Sequence, residues 1–253
     1  MIDTHTHTIS SLHAYSTLEE NVAAASGLGL SGIGVTDHYS PMVGHGDEYD
    51  KRDYQFLINL KIIPRIWHGI KVYRGAEVDI VTLKGDLYGY DKFQRDGSSM
   101  NGYMLGCTDY HIVSIHRVSS EMREASPVKL AEMYIGAISQ KKSAIIGHIN
   151  RAGLRFDEDM VLDEVKRLGK AIEINESTLM QSGNETVCAC RRIAEKCAEN
   201  EIFIAPASDA HISTGIGHIE TVSSMLEEIH FPKKLIVNRD TESFEEFLKK
   251  AVL

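Results

Sequence analysis

The chain switches repeatedly between a two-residue and a 3.6-residue rhythm of apolar positions, and each switch marks a strand or a helix. The first run, Asp3-Thr4-His5-Thr6-His7, is short and β-rich, so His5 and His7 fall on one face. Ser16-Thr17-Leu18-Glu19-Glu20 then predicts a helix start, with Thr17 as N-cap, Glu20 at the reciprocal capping-box position, and an end near Gly27 or Gly29. Gly32-Ile33-Gly34-Val35-Thr36 predicts a strand that delivers Asp37-His38, after which Pro41 bars an immediate helix and 42–53 is a polar loop. Tyr54 to Trp67 has helical spacing interrupted by Pro64, and 71–80 is a strand with Glu77 near its end. Residues 82–104, rich in Gly, Asp and Ser, form an excursion or short hairpin.

The alternation resumes at 111–116, where His116 shares a face with Ile112 and Ser114 and His111 takes the other. Ser126-Pro127 starts a helix, 143–150 is a strand ending in Gly147-His148, and Asp157 to Leu168 is a helix closed by Gly169. Ala171–Asn175 is a strand, Asn184 caps a helix that reaches Asn200, and Ile202–Ala205 is the seventh strand, with Ser208-Asp209-Ala210-His211 at its exit. Two helices follow, near 219–229 and 242–251. Seven short apolar strands alternating with helices predict parallel βαβ units. Metal-ligand residue types at the strand ends predict closure, because an open sheet would spread them too widely. The expected fold is α/β, a distorted (β/α)7 TIM-like barrel with its site at the C-terminal rim of the strands. One domain covering 1–253 is expected.

Composition alters this little, with 43% hydrophobic and 25% charged residues. No apolar run approaches a membrane-spanning length and no charged leader precedes the first strand, so a cytoplasmic location with no membrane contact is the expectation. A net charge of −9 makes nucleic acid an unfavourable partner, whereas a metal site would still attract a small phosphorylated substrate. Homo-oligomerisation is left open. The four cysteines, Cys107, Cys188, Cys190 and Cys197, lack zinc-ribbon spacing and are expected as reduced thiols.

Nine ligand candidates emerge: His5, His7, His13, His38, Glu77, His116, His148, Asp209 and His211. A single tetrahedral ion takes about four protein ligands, so two or three ions are needed. Imidazole with a minority of carboxylate suits zinc, manganese or iron, and Glu77, the one glutamate in the set, is the natural bridge between ions. Asp37 reads as an orienting partner of an imidazole. Arg117, Arg151 and Arg155 follow ligand-bearing strands and are candidate phosphate clamps, while Asn175, nearer the rim than Glu173, is a candidate substrate contact. His45, His68, His111, His218 and His230 are read as structural or surface residues.

These residues resemble the polymerase and histidinol phosphatase (PHP) superfamily over essentially the whole chain. The resemblance is carried by Asp-x-His-x-His at 3–7, His13-Ala14-Tyr15-Ser16-Thr17, Thr36-Asp37-His38, Gly75-Ala76-Glu77, Ile115-His116, Gly147-His148, Glu173-Ile174-Asn175 and Ser208-Asp209-Ala210-His211. It is nearest to the stand-alone YcdX-like phosphatases. That resemblance implies three divalent ions, usually zinc. The first would be held by His5, His7, Glu77 and Asp209, the second by Glu77, His116 and His148, and the third by His13, His38 and His211. Glu77, Asp209 and His211 would be the catalytic members, and a hydroxide shared by two ions would attack the phosphorus of a small phosphomonoester. The sequence departs from the family where Ile149 replaces the proline expected after His148, and in the lengthened segment 82–104. Histidinol-phosphate phosphatase and a 3'-5' nuclease-type phosphodiesterase are the alternative enzymes; a metal-binding assembly module is the non-enzymatic one.

Overall fold

A computed structural model describes residues 1–44 and 48–252; His45 and part of the 42–53 loop lie outside them. Strands β1 (Ile2–Thr6), β2 (Gly32–Val35), β3 (His38–Tyr39), β4 (Ile66–Trp67), β5 (Ile70–Asp79), β6 (Tyr110–Ser114), β7 (Ser143–Ile146), β8 (Ala171–Asn175) and β9 (Phe203–Ala207) form one sheet. Seven of them run parallel in the order β1-β2-β5-β6-β7-β8-β9. The sheet curls until its two edges meet. At the upper end Asp209 N–H donates to His5 O at 3.0 Å and His7 N–H to Ala210 O at 2.9 Å. Lower down the seam is filled by Asn238, whose side-chain amide donates to Ile2 O at 2.8 Å and Pro206 O at 2.6 Å while its backbone carbonyl accepts from Ile2 N–H. The result is a nearly closed barrel, as the strand pattern predicts.

Helices α1 (Leu18–Gly27), α2 (Gln55–Ile58), α3 (Met100–Met104), α4 (Ser120–Glu124), α5 (Pro127–Ile138), α6 (Glu158–Arg167), α7 (Glu176–Gln181), α8 (Asn184–Glu199), α9 (Glu220–Glu228) and α10 (Thr241–Ala251) surround it. The expected caps of α1 and α5 are present, Thr17 and Glu20 forming a reciprocal box and Ser126 accepting from Lys129 N–H ahead of Pro127, while Asp157, expected as the first helical residue, is instead the N-cap of α6 and accepts from Met160 N–H. Asn184 does not cap α8; it is the first helical residue, and Gly183 occupies the cap position.

The largest departure from expectation is 54–67, which is not one helix. It breaks into short turns around α2 and ends in β4, antiparallel to β5. Pro64 disfavours helix for itself and its predecessor, and His68 and Gly69, at φ of 46° and 79°, supply the two left-handed residues of a tight hairpin. Segment 82–104 is largely irregular, pinned by antiparallel bridges at Ile80–Leu87 and Phe93–Ser99 before α3.

The lower barrel interior is filled by Tyr110, whose hydroxyl donates to Thr4 O at 2.5 Å. A Cβ at Gly34 would overlap that hydroxyl, and one at Gly75 would stand 2.5 Å from Thr36 Cγ2 and 3.0 Å from the Tyr110 ring, so both positions are closed to a larger residue. Phe244 of α10 packs edge-on to Tyr73 and Tyr110 and closes the lower end. Lys170 ties this helix down by donating to Ser143 O and Ala251 O.

Two stability predictions follow from these contacts. Gly34→Ala should destabilise by about 1–3 kcal/mol or more through overpacking, read as a lower denaturant midpoint with unchanged slope. His111 is buried on the outer face of β6 and bonded to Thr108 Oγ1 at 2.8 Å; burial, aided by Lys142 and Lys170, lowers its pKa from 6.5 to about 3. The unfolded chain takes up this proton first, so His111 costs stability as pH falls from 6.5 towards 3. His111→Gln should therefore show a shallower decline in Tm over that window than the wild type.

Candidate metal centre

The upper ends of the strands converge on one carboxylate. Glu77 of β5 sits in register with His38 of β3, both wholly buried. Its Oε2 lies 3.2 Å from His5 Nε2, 3.4 Å from His7 Nε2 and 2.9 Å from His38 Nδ1, and its Oε1 lies 2.8 Å from His148 Nε2 and 3.3 Å from His116 Nε2. Asp209 Oδ1 faces the same His5 and His7 nitrogens at 3.6 and 3.3 Å. His13 and His211 complete the row with their Nε2 atoms 2.9 Å apart, the His211 ring stacked 4.2 Å from that of His7. All nine residues named from the sequence thus form one contiguous cluster. His13 is its exposed member.

Most of these contacts are not hydrogen bonds. His5 Nε2, His7 Nε2, both nitrogens of His38 and Glu77 Oε2 are buried with no hydrogen-bond partner. An unsatisfied buried polar atom costs about 1–3 kcal/mol, and five around one centre are not tolerable without a common partner. Zinc–ligand bonds of about 2.0–2.1 Å place neighbouring tetrahedral ligand atoms roughly 3.3 Å apart, which is the spacing of His5, His7, Glu77 and Asp209. Among the described residues, His5/His7/Asp209, His38/Glu77/His116 and His7/His38/His211 each bring one ligand atom per residue within 4.8 Å of the others. The side chains fit divalent transition-metal ions.

A layer of outer partners fixes the rings. Glu173 Oε1 meets His5 Nδ1 at 2.6 Å, Asp79 Oδ1 meets His116 Nδ1 at 2.6 Å, and Ser11 Oγ meets His7 Nδ1 at 3.0 Å. Each leaves the Nε2 lone pair aimed inward. Asp37 acts one step removed, accepting from Ser11 Oγ at 2.6 Å. Asp3 is no ligand; it accepts from Ser208 N–H, Ser208 Oγ and Gly217 N–H and clasps the seam.

Electrostatics follow from this crowding. Burial works against charge on Glu77, yet His116, His5 and His38 hold its carboxyl well below the usual range; Asp209 is held down likewise by His5, His7 and Arg151. His5 shifts well upward, with Glu173, Glu77 and Asp209 outweighing burial. Burial and the neighbouring His7 push His211 down to about 4. His148 and Asp209 also hold left-handed backbone, at φ of 25° and 56°, which is strain located at the cluster.

A family model for the PHP domain matches residues 3–179. The chain belongs to the PHP domain family. A probable phosphatase of Caldicellulosiruptor saccharolyticus is 33% identical over 250 residues, 98% of this chain and 95% of the relative. One from Photobacterium profundum is 32% identical over 250 residues, covering 99% and 94%. In structure, the histidinol phosphate phosphatase of Lactococcus lactis, complexed with zinc, L-histidinol and phosphate, superposes with a TM-score of 0.59 at 18% identity, covering 91% of this chain and 94% of that one. That likeness is one of fold.

In this PHP domain the cluster opens into a cavity of about 590 Å³, walled by Arg151, α7, Ile212 and His218. Arg151 donates to Asp209 Oδ2 at 2.8 Å, Asn175 Oδ1 at 3.0 Å and Thr178 Oγ1 at 3.0 Å. Asn175 is engaged inward, as N-cap of α7 and as donor to Glu173 and Asp209. Arg117 is exposed and lies off the cavity, and Arg155 pairs with Glu185 beside a separate hollow. Sequence reasoning missed Asp79 and Glu173 as imidazole partners. Each stands two residues from a residue already singled out, Glu77 or Asn175, on the same strand face, so the signal was there.

Glu173→Gln should weaken divalent-ion affinity by about 10–100-fold with the fold retained, measured by competition with a chromogenic chelator.

Proposed function

We propose that this phosphatase hydrolyses a small phosphomonoester at the cluster around Glu77, using three divalent ions, zinc by preference and manganese or iron otherwise. His5, His7, Glu77 and Asp209 would hold the first ion, Glu77, His116 and His148 the second, and His13, His38 and His211 the third. The observation that carries the reading is the set of buried, unpartnered nitrogen and oxygen atoms converging on Glu77. Full-length relatives named as probable phosphatases support it independently.

When bound, the ions neutralise phosphoryl charge and bring a water from a pKa of ~15.7 towards ~7, so that a nucleophile is available near neutral pH. The chain's own residues supply the geometry. Glu77, with one oxygen towards His5 and His7 and the other towards His116 and His148, sets the spacing of the first two positions. Asp209 and His211, two residues apart on the β9 exit, link the first position to the third. Glu173, Asp79 and Ser11 hold the imidazole tautomers. Arg151 uses its bonds to Asp209 and Asn175 to stand rigidly at the cavity wall, leaving guanidinium N–H groups for a phosphoryl oxygen. Asn175 supports Arg151 and Asp209 rather than meeting the substrate itself, and Arg117, away from the cavity, is not assigned a contact.

The net charge of −9 favours a small substrate over an oligonucleotide. The histidinol and phosphate bound by the Lactococcus lactis protein make histidinol phosphate the first named compound to try.

Protein purified without chelator should carry more than one transition-metal ion per chain and hydrolyse a chromogenic phosphomonoester. Removal of the ions should abolish turnover, and turnover by metal-free protein would refute the mechanism. His116→Ala should lower kcat by about 100-fold or more while leaving Tm near that of the wild type; unchanged turnover would remove His116 from the site. A panel of phosphometabolites, with histidinol phosphate and a short oligonucleotide included, should show highest kcat/KM on a monoester.

A further inference from the structure

Hydrolysis of an unactivated phosphomonoester needs a proton for the departing oxygen as well as a nucleophile, since an alkoxide is a poor leaving group near neutral pH. The titratable side chains lining the cavity are the cluster members together with Arg151, Glu176 and His218. Arg151 is tied to Asp209 and Asn175, and a guanidinium is not a general acid near neutral pH. Glu176 is buried, and its two oxygens accept from Thr221 N–H at 3.0 Å and Val222 N–H at 2.8 Å, capping the start of α9. His218 is left. Its Nδ1 is 2.9 Å from Glu220 Oε1, and it lies outside the set that would hold the ions.

Its placement is fixed from both sides. Gly217 takes a left-handed φ of 72° and donates its N–H to the buried carboxylate of Asp3 at 2.8 Å, while His218 N–H closes a turn on Gly215 O at 3.3 Å. Two residues later α9 begins, held by Glu176. The backbone of His218 therefore stands on a stiff turn in the cavity wall, with its imidazole half exposed and paired with the exposed Glu220. A carboxylate on Nδ1 orients the ring and sets Nε2–H as the proton to be given, the same logic by which a carboxylate orients a general-acid histidine elsewhere.

We propose that His218, positioned by Glu220, is the general acid that protonates the leaving-group oxygen of the substrate. The assignment rests on the phosphatase reading above. As the ester P–O bond breaks, its electron pair goes to the leaving oxygen, which takes the proton from His218 Nε2. The attacking water leaves its hydroxyl on phosphorus, and its other proton passes to solvent, from which neutral His218 is recharged. One water is consumed and one alcohol and one phosphate are released.

The test is a leaving-group series, 4-nitrophenyl phosphate, phenyl phosphate and 2-phenylethyl phosphate, with wild type, His218→Asn and Glu220→Gln, and with bound metal and Tm measured for each. 4-Nitrophenolate departs readily without a proton, whereas the alkoxide does not. In His218→Asn, kcat/KM should fall by about tenfold or less on 4-nitrophenyl phosphate and by about 10²–10⁴-fold on 2-phenylethyl phosphate. Glu220→Gln should tilt the series the same way by a smaller factor, with metal content unchanged in both variants. Equal losses on all three esters, or no loss on the alkyl ester, would overturn the assignment while leaving the phosphatase reading in place. A metal-loaded wild type inactive on every ester would overturn both.

Discussion

Everything at the upper end of the barrel is arranged around a carboxylate that cannot stay alone. Glu77 is removed from water, and an isolated buried charge would be neutralised by a proton before it was tolerated. The chain instead surrounds it with His5, His7, His38, His116 and His148, and brings Asp209 and Arg151 alongside. Nitrogens that point inward without hydrogen bonds are worthwhile only where divalent charge joins them. This one demand, positive charge at a dry point shared by several strands, explains the ligand types, their burial and the outer carboxylates that orient them.

The same demand reaches into the fold. Ligands on β1, β3 and β5, after β6, β7 and β9, and at His13 must keep their side chains within bonding distance of a common centre, so the sheet has to close and its seam has to be firm. Asp3 and Asn238 do this work at different heights, one by clasping Ser208 and Gly217, the other by standing in for missing strand ladder bonds. Beneath the cluster Tyr110 and Phe244 fill the barrel and keep it a packed core rather than a channel. Left-handed backbone at His148 and Asp209 costs about 1–3 kcal/mol each, and the surrounding barrel offsets it.

Above the cluster the wall is polar on the side of Arg151 and His218, with Met180 and Ile212 exposed beside them. The two polar residues are held in different ways. Arg151 is locked to Asp209 and so follows the cluster, whereas His218 is mounted on the turn that leads into α9 and has a carboxylate of its own. A phosphate held at the floor would thus meet one wall residue tied to the ligand set, Arg151, and one mounted apart from it, His218.

The sequence by itself determined the seven parallel strands, the caps at Thr17 and Ser126, and the eight residues that gather with Glu77. Those features are local or periodic: a side chain's face follows from alternation, and a cap from its hydrogen-bonding atoms within four residues. Only the tertiary structure decided what those residues meet. Asn175, a candidate substrate contact, also holds the start of α7, the predicted helix over 54–67 gave way to a hairpin once β5 offered it an edge, and His218, exposed as a surface residue, stands in the wall of the cavity beside α7. Contacts such as Glu173 with His5, 168 residues apart, leave no local trace, because their energy exists only after the barrel has closed and water has been driven out.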